Sequence, residues 1–370
     1  MGIRFKSSNE HHILHLIDKE GVGGVEILVQ NLAESFSSIR CSYLFLRSSK
    51  KTTENIFRKH FYKWSISPFF FLIFFLRREN IHLVHTHHRK GFYLMCLISL
   101  FLSYIVFVHH EHGDVLQKQN TFYRFFLLLF QKRISRIIAV STPLQEEIQK
   151  IVPHVHCDVL LNPLLSQKGN ISLDDQMILK EIEGIKKTTP FLIGYFGRIE
   201  LVKRLDVLLH ALSLLSLPRD AWRAVFLGEG KQKKFLQKLC SQKNLSKNVS
   251  FLPSISSHAC QTAYSFLDVS VLCSEFEGLS LFLLESLQNE ISVIISDVPA
   301  PNAYISHEKN GLLYPFGDAK ALSLLIEKLF HNFVLRHKIA KSGRLFAEKT
   351  FPSQDEYNAH LEKIYLEVLS

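Results

Sequence analysis

A chain of 370 residues that is 47 % hydrophobic carries enough apolar side chain for two cores, about two to three domains at ~100–200 residues each. That excludes a disordered, collagen-like or small disulfide-stapled protein. The formal charge is +10 and unevenly spread: residues 1–165 hold 20 Lys/Arg against 12 Asp/Glu, the remainder 24 against 22.

The first twelve residues lack the apolar stretch of a secretory signal. The six cysteines, at 41, 96, 157, 240, 260 and 273, form no C-x-x-C pair and no regular ladder. A reducing cytoplasm is expected, with neither structural zinc nor disulfides. Residues 11–17 read as an apolar strand, 21–24 as a glycine turn, and 26–36 as a helix with apolar positions at 27, 28, 32 and 36. Residues 42–46, 81–85, 105–109 and 137–141 read as further strands, each followed by a helical or loop segment. Phe69 to Leu76 gives only eight apolar residues, too few to cross a bilayer. Phe92 to Val108 is uncharged, but serines interrupt it and its end is β-branched and aromatic. It reads as a buried helix running into a central parallel strand rather than a transmembrane helix.

Near Asn162-Pro163 the pattern breaks, and residues 166–189 are polar with a mixed helical pattern. A second alternation follows, with strands at 191–196, 224–227, 249–252, 269–273 and 293–296 and helices at 205–215, 233–240 and 281–288. The predicted class is α/β, with two doubly wound parallel-sheet domains facing a central cleft. The boundaries are 1–165 for the first domain, 166–189 for a linker and 190–351 for the second domain. A last helix, within 352–370, crosses back to the first. The basic, Phe-rich first half favours an anionic membrane surface over nucleic acid, because no compact Lys/Arg tract is interleaved with stacking aromatics; solvated surface lysines are the alternative.

Two stretches carry chemistry. In Ser274-Glu275-Phe276-Glu277-Gly278-Leu279-Ser280-Leu281 a carboxylate follows a strand, a glycine follows it, and a helix opens with unpaired amides suited to a diphosphate. Glu285, on that helix, is placed to accept two ribose hydroxyls; an ordinary amphipathic helix with an acidic start is the alternative. In Gly194-Tyr195-Phe196-Gly197-Arg198 through Lys203, a glycine ends a strand and two cations follow, as an anionic leaving group requires. Cations at a helix start oppose its dipole, which weakens the reading of a merely solvated surface.

Together these residues resemble family 4 of the retaining glycosyltransferases, with the two-domain GT-B architecture. The likeness extends over nearly the whole chain. Gly21-Val22-Gly23-Gly24-Val25-Glu26 is similar to the family's first glycine-rich loop, and Ile81 to His87 to its D-I-V-H-x-H strand. Asn162-Pro163 is similar to the domain junction. Gly197-Arg198 with Lys203, Gly228-Glu229-Gly230, and Glu277 with Glu285 match the donor-site motifs. His109-His110-Glu111-His112-Gly113 is similar to a T-E-H-G stretch.

The resemblance implies a nucleotide-diphosphate sugar donor held mainly by the second domain and a glycan or lipid-linked acceptor held by the first. Arg198 and Lys203 would bind the diphosphate, Glu285 the ribose and Glu277 the sugar hydroxyls, with His112 beside the reacting carbon. Gly23, Gly24, Gly197, Gly228, Glu229, Gly278, Leu279 and Ser280 complete the donor site. Glu277 and His112 are the catalytic candidates. His112 could instead be a satisfied interface histidine, with His110 next in line. No metal or other cofactor is expected, although His85, His87, His88, His109, His110 and His112 are a crowd that could chelate; no H-E-x-x-H or cysteine partner accompanies them. The expected activity is retaining transfer in lipopolysaccharide or capsular polysaccharide synthesis, by a cytoplasmic protein at the inner membrane face. A non-catalytic binding subunit and a nucleotide-sugar epimerase of the same architecture are the alternatives. The chain departs from the family after Ser296-Asp297, where Val298 to Tyr304 lacks the usual glycine pair and glutamate.

Overall fold

Strand runs such as Leu-Val-His-Thr at 83–86 and Phe-Leu-Ile-Gly-Tyr-Phe at 191–196 are buried along their whole length, as strands covered on both faces must be. The structure, a computed structural model, describes all residues except 1–10, 20–23, 33–35, 37–38, 49–54, 62–65, 114–119 and 165–170. The chain divides into two compact units, one of residues 1–160 with 355–370 and one of residues 161–354.

The first unit is built on β1 (His11–Lys19), β2 (Ile39–Arg47), β3 (Ile56–Arg58), β4 (Leu83–Thr86), β5 (Val106–Glu111), β6 (Arg136–Ala139) and β7 (Cys157–Val159). These strands are all parallel, in the order β3-β2-β1-β4-β5-β6-β7. The second unit holds β8 (Phe191–Phe196), β9 (Trp222–Leu227), β10 (Val249–Leu252), β11 (Val269–Leu272), β12 (Ser292–Asp297) and β13 (Leu312–Pro315), in the order β10-β9-β8-β11-β12-β13. Both sheets therefore run 3-2-1-4-5-6 from their own first strand, the doubly wound order, and the first adds a seventh strand at its edge. In such sheets the strand order reverses beside the first strand, and ligands bind at the carboxyl ends there. In the first unit that point lies between β1 and β4; in the second it lies between β8 and β11.

The segment 92–108 resolves as expected into a helix, Arg89–Ile98, and the central strand β5. Among the described residues no helix is long and apolar enough to cross a membrane. The segment 166–189 differs from expectation. It contains a 15-residue helix, Leu173–Lys187, that belongs to the second unit rather than to a linker. Ser172 caps it by accepting from the Asp175 amide, Leu179 and Ile182 are buried, and the Asp175 carboxylate accepts from Ser256 Oγ at 2.7 Å.

The last helix, Gln354–Leu369, contributes to the first unit's core. Tyr357, Leu361, Ile364 and Tyr365 join Ile13, Leu83, Val108 and Ile138 in one buried cluster. Three helices of this unit, Ser67–Arg78, Arg89–Ile98 and Thr121–Phe130, bury one face and leave large apolar side chains on the other. Phe70, Phe74, Phe122, Phe125 and Leu129 are exposed there, with Phe101 in the turn after the middle helix.

Candidate functional site

Residues expected to contact a donor in the second unit converge on the carboxyl ends of β8, β9 and β11. Gly197 ends β8 at φ +152° and donates its amide to the Leu227 carbonyl at 2.9 Å. Gly228 ends β9 at φ +148°, and a Cβ there would stand 2.0 Å from the Gly197 carbonyl oxygen. The two loops pack backbone to backbone, closed by an Ile199 amide to Glu229 carbonyl bond of 2.8 Å. Only glycine permits that approach. Arg198 follows on the exposed rim, and among the described residues it forms no ion pair; Tyr195 fixes the turn by donating its hydroxyl to the Arg198 carbonyl at 2.9 Å. Glu229 pairs with Lys233, whose Nζ lies 2.6 Å from Glu229 Oε1 and also reaches the Gly228 carbonyl.

Lys203 and Glu277, separated by 74 residues, meet. Lys203 Nζ lies 2.5 Å from Glu277 Oε1, and Ser274 Oγ donates to the same oxygen at 2.6 Å. A single 3-10 turn, Leu201–Lys203, presents the lysine, and the Glu275 amide donates to the Val202 carbonyl, tying this turn to the loop after β11. The two side chains are only 15 % and 10 % exposed, so each charge depends on the other for compensation.

Gly278, Leu279 and Ser280 are buried between that loop and the helix Leu281–Gln288. No side chain caps this helix, so its first-turn amides are not claimed by a cap. Asn162 pins the approach by donating from Nδ2 to the Leu279 carbonyl at 2.9 Å. Glu285, one turn into the helix, accepts from the Tyr264 hydroxyl at 2.9 Å. Tyr264 in turn packs on Phe196, the last residue of β8, at a ring separation of 4.8 Å. Burial and the Glu285 carboxylate hold the Tyr264 hydroxyl protonated, well above the usual phenol range. Thus Glu285 is joined through one tyrosine to the strand that carries Gly197 and Arg198. The divergent segment after Asp297 forms a short helix, Pro299–Asn302.

In the first unit Gly23 lies outside the described residues. Gly24 is exposed and opens the helix Gly24–Gln30. His112 is half-buried just past β5, its imidazole held down to about 3 by burial and by neighbouring His88. It is the outer member of a larger group. His15 on β1, His85 on β4 and His110 on β5, with His87 just past β4, lie on one face of the sheet and are buried. Burial lowers His15 to about 3 and, with the neighbouring imidazoles, takes His85, His87 and His110 well below their ordinary value. His109 sits on the opposite face against Phe92, with its Nδ1 2.8 Å from Thr86 Oγ1. His88 is partly exposed, 3.8 Å from Glu26.

Lys233, Ser274 and Tyr264 were not singled out from the sequence. Lys233 had a signal, its i,i+4 spacing from Glu229 on an opening helix. Ser274 lies three residues before Glu277 in the same loop, whereas Tyr264 is brought in by tertiary packing alone.

Residues 177–346 match the family described as Glycosyl transferases group 1, and residues 22–164 match Glycosyltransferase Family 4. Among curated relatives, the putative glycosyltransferase EpsD of Bacillus subtilis (strain 168) is 30 % identical over 174 residues, covering 47 % of this chain and 45 % of EpsD. The capsular polysaccharide biosynthesis glycosyltransferase CapM of Staphylococcus aureus is 26 % identical over 178 residues, 47 % of this chain and 46 % of CapM. The first curated relatives are matched over 45 %, 61 % and 31 % of their own lengths. Among solved structures, Anabaena Alr3699/HepE in complex with UDP-glucose superposes with a TM-score of 0.79 at 18 % identity, over 96 % of this chain and 99 % of that one, a likeness of fold. Two family matches in series, each on its own doubly wound sheet, show that the chain belongs to the family 4, group 1 glycosyltransferases of GT-B fold.

Proposed function

We propose that the chain transfers a sugar, with retention of configuration, from a nucleoside-diphosphate sugar to a glycan or lipid-linked acceptor of surface polysaccharide synthesis. The observation that carries this reading is the assembly at the carboxyl ends of β8 and β11: Arg198 on the rim, Lys203 held by Glu277, an uncapped helix start at Leu281, and Glu285. In this reading Arg198, Lys203 and the first-turn amides take the diphosphate, whose negative charge grows as its bond to the sugar breaks. Those donors supply the stabilisation a metal ion gives elsewhere. Glu285 accepts the ribose hydroxyls. Glu277 orients Lys203 and offers its remaining acceptor capacity to a sugar hydroxyl. His112 contacts the sugar beside the reacting carbon, and the leaving phosphate takes the acceptor's proton in a front-face attack.

The likeness to CapM, a capsular polysaccharide biosynthesis glycosyltransferase, and the fold shared with HepE in complex with UDP-glucose support a nucleotide-sugar donor and a polysaccharide product. The apolar face over Ser67–Arg78, Arg89–Ile98 and Thr121–Phe130 supports an acceptor at the cytoplasmic membrane surface. Phe70, Phe74 and Phe125 are each more than half exposed there, and Arg77, Arg78, Lys132 and Arg133 are exposed on the same helices and the turn after them.

A thermal-shift screen against uridine, guanosine and adenosine diphosphate sugars, followed by turnover with and without acceptor, tests the assignment. Acceptor-dependent nucleotide release supports transfer. An epimerised donor, or binding without turnover, would replace it by a nucleotide-sugar epimerase or a non-catalytic subunit. Flotation with anionic liposomes at low and high salt tests the membrane contact, and failure to float in both removes it.

A further inference from the structure

The buried histidines of the first unit are not explained by hydrogen bonding among themselves. His15 Nδ1 and His87 Nε2 lie 3.0 Å apart, and His85 Nδ1 meets the Tyr365 hydroxyl at 2.5 Å. Beyond those two contacts, His15 Nε2, His85 Nε2, His87 Nδ1 and both ring nitrogens of His110 are buried without a partner. Each such atom costs about 1–3 kcal/mol, and native proteins leave few of them unless a water or an ion completes the site.

The geometry suits an ion. One ring nitrogen from each of His15, His85 and His87 falls within 4.8 Å of the others. A tetrahedral zinc with bonds of about 2.0–2.1 Å places its ligand nitrogens roughly 3.4 Å apart. His15 Nδ1 and His87 Nε2, 3.0 Å apart, are already near that figure and would exchange their hydrogen bond for the ion, while His85, whose ring lies 4.1 Å from that of His87, offers its unpartnered Nε2. His110 stacks on His85 at 5.4 Å with both nitrogens unclaimed, so a fourth imidazole is adjacent. The register explains the clustering: His15 pairs with His85 across β1 and β4, His87 follows at i+2, and His110 extends the same face from β5. The Tyr365 hydroxyl on His85 Nδ1 is the kind of outer partner that fixes a ligating imidazole's orientation.

We propose that His15, His85 and His87, with His110 alongside, form a structural site for a divalent d-block cation of the zinc class. An all-imidazole, buried set favours zinc, copper or nickel over magnesium or calcium. The site lies within one unit and stands independently of the sugar-transfer reading. Because the ligands are closed off from solvent, the ion enters as the unit folds, and its binding stabilises that unit.

The test uses the full chain, unfolded and refolded in chelator, then refolded with zinc or cobalt(II) alone. The expected result is one ion per chain by elemental analysis, a tetrahedral cobalt(II) absorbance, and a higher melting temperature for the first unit with zinc. His85→Gln and His87→Gln should weaken binding at least about 100-fold, and Tyr365→Phe, which keeps the core volume, about 10- to 100-fold with unchanged far-ultraviolet dichroism. The exposed His156→Gln should leave binding unchanged. No stoichiometric uptake overturns the proposal. So does uptake that survives in His87→Gln, or uptake lost in His112→Gln but kept in His15→Gln and His85→Gln.

Discussion

Removing the Lys203 ammonium strands the Glu277 carboxylate at a position that is 10 % exposed, with one hydroxyl from Ser274 left to solvate it. Breaking a buried pair costs about 3–5 kcal/mol; the residual exposure on both sides reduces this to about 2–4 kcal/mol. At roughly 2–4 °C per kcal/mol for a unit of this size, Lys203→Met should lower the melting temperature of the second unit by about 4–16 °C. Glu277→Gln should show a loss of the same order. The double variant Lys203→Met with Glu277→Gln should recover most of it, because exchanging both members of a buried pair is close to neutral. Calorimetry on the four proteins closes a double-mutant cycle, and a coupling below about 0.5 kcal/mol would refute the pair as described. Turnover separates the two roles. With Lys203 acting on the diphosphate, the double variant regains its melting temperature and stays inactive.

Three further outcomes follow from local geometry. Gly228→Ala places a methyl group 2.0 Å from the Gly197 carbonyl oxygen at φ +148°, so the second unit should lose about 3 kcal/mol or more, read by urea unfolding. His12 is lowered to about 4, by burial first and by Arg40 and His82, against the Glu79 carbonyl bond that raises it. The unfolded chain therefore binds this proton more readily, and stability should fall by about 2–3 kcal/mol as pH drops from about 6.5 to 4. His12→Asn should lack that part of the acid dependence in denaturant titrations across the same range. All six cysteines are free, and burial raises the thiols of Cys41, Cys157 and Cys273 to about 12. A disulfide reagent at pH 8 should leave them unmodified over minutes in native protein and titrate six thiols in guanidinium; rapid native labelling at those three would contradict the packing.

Much of the fold was legible because its strands are buried on both faces, so β8, β11 and β4 stand out as short β-branched and aromatic runs between turn signals. The short edge strands β3, β7 and β13 were not read, since three or four residues with mixed burial carry no period. The helical pattern of 173–187 is legible in the sequence, but its membership of the second unit is not, since only Leu179, Ile182 and Asp175 face inward. In the candidate site the glycines and the opening of the helix at Leu281 were visible as local motifs. That Lys203 would be held by Glu277, or that Tyr264 would bridge Glu285 to β8, depends on contacts 74 and 21 residues long. Alternation in strands does place His85 with His87, and His110 with His112, on common faces, but only the strand order sets His15 beside them.

The first unit is discontinuous: residues 161–354 are inserted before its final sixteen. On the ribosome the inserted unit is complete before the unit that precedes it, because Tyr357, Leu361, Ile364 and Tyr365 emerge last and close the other unit's core. Until residues 355–370 emerge, β1 to β7 wait with an apolar face uncovered. Loss of residues 355–370 therefore injures the unit of β1 to β7, which lies far from them in sequence, and spares the unit they follow directly.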